Sequence, residues 1–130
     1  MFELTINNTV YQFNFGMGFM REIDPTITKP IDGIKGKVQN LGLQYAIAGI
    51  IDGDVTTLAD VLLRANKGFT PRLTQAEIES HIENENTDID ALFDDVLVFL
   101  KTANVTKKTA QTLLEAIENE KAKEAEKANT

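Results

Sequence analysis

The chain has 130 residues with 20 Asp and Glu against 13 Lys and Arg, a formal net charge of -7, and contains no cysteine. That composition excludes thiol catalysis, thiolate metal sites and a disulfide framework, and sets a repulsive field against any nucleic acid. The length suits one domain able to bury about two-thirds of the surface its unfolded form exposes.

The opening segment changes structural period within a few residues. Phe2, Leu4 and Ile6 alternate with Glu3 and Thr5, Asn7-Asn8 tolerates the left-handed backbone of a tight turn, and Val10, Tyr11, Phe13 and Phe15 follow. This predicts a short N-terminal β-hairpin. After Gly16-Met17-Gly18, Phe19, Met20 and Ile23 fall at helical spacing.

Asp24-Pro25, Lys29-Pro30, Gly33 and Gly36 interrupt regular structure, so residues 24 to 34 read as a loop. From about Lys35 a second helix is expected. Val38, Leu41, Tyr45, Ala48 and Ile51 form one stripe of it, and Leu43, Ile47 and Ile50 widen that stripe, which makes it the central core helix. Asp52-Gly53-Asp54 ends it, and Asp54 or Thr56 caps a third helix whose inner face is Leu58, Val61, Leu62 and Ala65.

Gly68-Phe69-Thr70-Pro71 is a further break. Thr74-Gln75-Ala76-Glu77 has the spacing of a capping box, opening a helix that carries Ile78 and Ile82 inward. Asp88 caps an amphipathic helix with Ile89, Leu92, Phe93, Val96, Phe99, Leu100 and Ala103 toward the core. A last helix begins with Thr106 as its cap and runs through Ala110, Leu113, Leu114 and Ile117. From Glu118 to Lys127 only Glu, Lys, Ala and Asn remain, which predicts a solvated helix or a frayed end. The pattern therefore predicts a mainly α fold, a bundle of five to six helices with a short hairpin. Residues 1–117 form one globular domain in this reading and 118–130 a charged tail.

The opening residues lack the basic start and apolar run of a signal peptide. The densest apolar run, Val96 to Leu100, is far below the roughly 20 residues that span a bilayer, so no membrane partner is expected.

Chemistry of the usual kinds finds no pattern. Ser80 and His81 are adjacent on a predicted helix and point about 100° apart, so they do not pair as nucleophile and base; a Glu77 to His81 hydrogen bond is the simpler expectation. Asp52-x-Asp54 and Asp88-x-Asp90 lack the glycine and the bidentate glutamate of a calcium loop and read as helix caps. Gly16-Met17-Gly18 meets Arg21 where a dinucleotide fingerprint has its third glycine. Asp94 and Asp95, or Glu77 and Glu83, are carboxylate pairs without a pattern that holds them in a pocket. No catalytic, cofactor or metal residues are assigned, and no enzyme activity is expected. The adaptable apolar side chains of Phe15, Met17, Phe19 and Met20, beside two glycines, are the candidate partner-binding cluster, unless they cover the core beneath the hairpin.

Three stretches carry a family likeness: Met1-Phe2-Glu3-Leu4 through Tyr11 to Ile23, Gly33-Ile34-Lys35 followed by Leu43-Gln44-Tyr45-Ala46, and Asp88 to Phe93 leading to Phe99-Leu100-Lys101. In that order they resemble the tail assembly chaperones of long-tailed, siphovirus-type phages and prophages of Gram-positive bacteria. The resemblance implies a non-enzymatic protein of the infected cell's cytoplasm, absent from the mature virion. It would bind the tape measure protein, keep it soluble, and help recruit the major tail protein, the latter through a longer frameshifted form. Self-association is compatible with that role. The alternatives are a small acidic adaptor or regulator of a host protein, and an acidic hydrolase.

Overall fold

The computed structural model describes residues 1–128; the last two positions of the expected 118–130 tail lie outside the described residues. Strands β1 (Phe2–Ile6) and β2 (Thr9–Phe13) form the antiparallel hairpin, with Phe2 opposite Phe13 and Leu4 opposite Tyr11. Asn7 and Asn8 take φ of 51° and 66°, the pair of positive values that a two-residue turn of matching twist requires. Alternation then turns Phe2, Ile6, Tyr11 and Phe13 to the core, with Leu4 partly buried, and leaves Glu3, Thr5 and Val10 outside.

Helix α1 (Met17–Ile23) follows and buries Phe19 and Ile23. The segment from residue 24 onward departs from the expected loop and early helix. A turn of 3₁₀ helix (Asp24–Thr26) leads to β3 (Thr28–Pro30), which pairs antiparallel with β4 (Val38–Asn40), and the next helix, α2, starts only at Gly42 (Gly42–Asp52). Val38 and Leu41 therefore precede α2, because the Leu41 amide donates to the Ile27 carbonyl and closes the base of a second hairpin. The buried face of α2 is Leu43, Ile47 and Ile50, the set expected only to widen the stripe, together with Ala46. Tyr45 points outward at 58% exposure. Gly42 is required where α2 crosses the end of α1: a Cβ there would sit 1.8 Å from the Ile23 carbonyl oxygen.

Gly53 stops α2 in the left-handed conformation at φ 76°, and the Asp54 carboxylate accepts from the Thr56 amide to open α3 (Val55–Asn66). Leu58, Val61, Leu62 and Ala65 of α3 are all buried. Helix α4 (Gln75–Glu83) starts with the capping box, Thr74 Oγ1 accepting from the Glu77 amide and Glu77 Oε1 accepting from the Thr74 amide. In α5 (Ile89–Thr102) Leu92, Val96 and Leu100 are buried, while Ile89, Phe93, Phe99 and Ala103 pack on the core from its edge.

Helix α6 (Lys107–Ala128) buries Ala110 and is exposed throughout from Glu118. The Thr106 hydroxyl, expected to cap α6, is buried and donates instead to the Leu100 carbonyl near the end of α5.

Helix α2 is central, packing against α1, α3, α5 and α6, and β2 lies on α3. The hairpin closes the other side of the core through aromatic rings: Phe2 meets Phe13 at 5.5 Å and Phe99 at 5.0 Å, and Phe15 meets Phe19 edge-on at 5.2 Å. Each large side chain so buried is worth about 1.5–3 kcal/mol before conformational entropy is set against it. No helix among the described residues is long and apolar enough to cross a membrane.

Candidate functional site

The four side chains of the candidate cluster divide between core and surface. Gly16 precedes α1, so Met17 occupies the first helical position and faces solvent at 56% exposure, whereas Phe19 and Ile23, four apart, face inward. Phe15 and Phe19 are 4% and 3% exposed and belong to the aromatic core, and Met20 is partly buried against it. The surface that this segment offers is thus Met17 flanked by Met20, on a base of packed rings.

A larger concavity lies where α2, α3 and α4 meet. This open groove of about 980 Å³ has small residues, Ala46, Ala48 and Ala59, along its walls, with Tyr45 and Val55 exposed at its edge. Among the described residues five carboxylates line it, Asp52, Asp54, Asp60, Glu79 and Glu83, and no lysine or arginine does. Asp54 is engaged in its cap and with the Thr57 hydroxyl, and Asp60 pairs with Arg64 at 3.0 Å. Glu79 accepts from the Gln75 amide, and the Asp52 and Glu83 carboxylates have no partner among the described residues. The groove therefore has apolar walls and a negative rim. Gly49 also borders it, but a Cβ there would strike Thr57 at 2.6 Å, so the α2–α3 contact accounts for that glycine.

Two polar arrangements hold these helices in place. Asn66 is fully buried; its amide donates to the Gln12 carbonyl at 3.0 Å and the Pro71 carbonyl at 3.3 Å, and its oxygen accepts from the Leu73 amide and from Arg72. It locks β2, α3 and the segment before α4 together, beside a hydrogen bond from the Asn14 amide to the Ala65 carbonyl. The second is the Tyr11 hydroxyl donating to Glu77 Oε2. Glu77 is thus committed to Tyr11 and Thr74 and not to His81, the partner expected from the sequence. Tyr11 is raised above the ordinary phenol range, chiefly by this hydrogen bond and then by burial. Glu77 is lowered by the Tyr11 and Thr74 hydrogen bonds against the opposing effect of burial.

His81 borders a smaller hollow of about 360 Å³ between the start of the chain and α5, and burial lowers its pKa, favouring the neutral ring. Ser80 is exposed beside it. Among the described residues no group of three or more His, Asp or Glu is arranged to hold a metal ion. Neither the groove nor Asn66 stood out in the sequence. The signal for Asn66 was a polar residue continuing the buried face of α3 past Leu62 and Ala65.

Comparison with known families supplies what the geometry does not. The model of a family described as phage tail assembly chaperone protein, TAC, matches residues 3–115. The chain belongs to this family. The match takes in both hairpins apart from Phe2, α1 to α5 and the first part of α6, so every residue of the groove and of the methionine surface lies inside it. Comparisons with curated proteins and with solved structures gave no match.

Proposed function

We propose that the protein coats the tape measure protein of a long-tailed phage of a Gram-positive host, keeps it soluble, and helps bring the major tail protein to it as the tube assembles. Membership of the tail assembly chaperone family is the observation that carries this reading. The physical argument is that a long helical chain with one apolar side aggregates if left bare, and a small acidic protein bearing adaptable apolar side chains shields it reversibly. Met17 and Met20 are the surface we assign to that contact, since an unbranched thioether side chain accommodates varied partners. The role needs no catalytic step. It is played in the cytoplasm of the infected cell, and the protein is left out of the finished particle. Recruitment of the major tail protein falls to a longer frameshifted form in this scheme.

Co-expression with the phage's own tape measure protein tests the proposal. The tape measure protein is expected in the soluble fraction, co-eluting with this chain in gel filtration. An insoluble tape measure protein and no complex would overturn the reading.

A further inference from the structure

The two edges of the β1–β2 hairpin are treated differently. Its two-residue turn makes Ile6 and Thr9 a hydrogen-bonded pair, so by alternation Leu4 and Phe2 bond to β2 while the backbone groups of Glu3 and Thr5 point away from it, as those of Val10 and Gln12 do on the other strand. The outer edge of β2 is tied to α3: the Gln12 carbonyl accepts from Asn66, and just beyond the strand the Asn14 amide donates to the Ala65 carbonyl. The outer edge of β1 has no such cover. Glu3 and Thr5 are exposed, and their outward amides and carbonyls have no hydrogen-bond partner among the described residues. The strand carries no lysine, proline or bulge of the kind that blunts an open edge, only Glu3.

The smaller hollow beside His81 borders this strand. Leu4 and Asn7 of the hairpin line it together with His81, Asn84, Asp88 and Asp95, and no lysine or arginine among the described residues does. Asp88 is engaged in its cap with the Ala91 amide, whereas the Asp95 carboxylate and the His81 ring have no hydrogen-bond or ion-pair partner among the described residues. Burial favours the neutral ring, which leaves the charge of the hollow to its carboxylates. A strand laid along β1 places the side chain opposite Leu4 on Leu4's own face of the sheet, toward the hollow. We propose that the free edge of β1 takes up an extended segment of another protein, its main chain bonded to Glu3 and Thr5 and a lysine or arginine side chain reaching from the position opposite Leu4 to Asp95. The net charge of -7 draws a basic segment toward this edge and repels an acidic one. The contact is separate from the proposed coating role, whose client is helical and meets Met17 and Met20.

Fluorescence anisotropy with a short labelled peptide of valine and threonine around one central lysine tests it, with hydrogen exchange at the Thr5 amide, followed by NMR, as a second readout. Binding that weakens with added salt, and slower exchange at Thr5 once the peptide is present, are expected. Thr5→Pro removes the outward N–H while sparing the ladder to β2, and Asp95→Asn removes the charge at an exposed position; each is expected to raise Kd by about fivefold or more. The same peptide with glutamate in place of its lysine should not bind. Should Thr5→Pro misfold by circular dichroism, Asp95→Asn and the exchange at Thr5 decide the matter. No binding at about 1 mM peptide, equal binding of the glutamate peptide, a folded Thr5→Pro or Asp95→Asn variant that binds as wild type does, or a Thr5 amide already protected by a second copy in the absence of peptide would each overturn the proposal.

Discussion

Tyr11 and Glu77, far apart in the chain, meet where β2 reaches the first turn of α4, the phenol hydroxyl donating to a carboxylate that also completes the capping box. Because Glu77 is lowered when folded, its contribution to stability is present above the unfolded value of 4.5 and fades as pH falls through the folded value. Tyr11 is raised, so its contribution is present below the unfolded value of 10.0 and is lost as pH rises through the folded one. Thermal unfolding across pH should therefore show Tyr11→Phe with a lower Tm than wild type between these limits, and with less loss at each extreme. Curves of identical shape for the two proteins would count against the link.

Asn66 is the polar centre of the core. Asn66→Ala leaves the Leu73 amide and the Gln12 carbonyl without their buried partner, which is expected to cost about 2–4 kcal/mol. Urea unfolding checks this through the midpoint at an unchanged m-value.

Substitution of glycine by alanine separates close approach from open space. Gly42→Ala forces a methyl into the Ile23 carbonyl and should destabilise by about 2 kcal/mol or more, whereas Gly18→Ala, in α1 with nothing within 4 Å, should be neutral or stabilise by up to about 1 kcal/mol. Chemical denaturation of both variants gives the comparison.

Within the aromatic and methionine cluster, stability and partner capture should part company. Phe19→Ala removes a 3% exposed ring and is expected to cost about 3–5 kcal/mol; Met17→Ser should stay within about 0.5 kcal/mol of wild type. If Met17 serves the tape measure protein, its serine variant folds normally and retains less of that protein in solution. Unchanged retention would remove Met17 from the contact.

What was legible in the sequence was what depends on neighbours. Asp54, Thr74 and Asp88 cap helices within three residues of themselves, and the inner faces of α3 and α5 follow from spacing alone, so these elements appear where the pattern puts them. The start of α2 did not, since Val38 and Leu41 continue a helical stripe by spacing while their backbone pairs across a hairpin. Asn66 and Glu77 find partners in β2, and the groove exists only once three helices are packed; no local rule carries such information. Phe15, Met17, Phe19 and Met20 were found together as a segment, but their division between core and surface depended on where the helix begins.

The ring of Phe2 resting on Phe99 ties the beginning of the chain to a helix made much later. During synthesis, Phe2 and Phe15 have no α5 to cover them until that helix has left the ribosome. The order of manufacture thus leaves the hairpin's aromatic face waiting, and long-range closure of this kind makes folding slower than local helix formation.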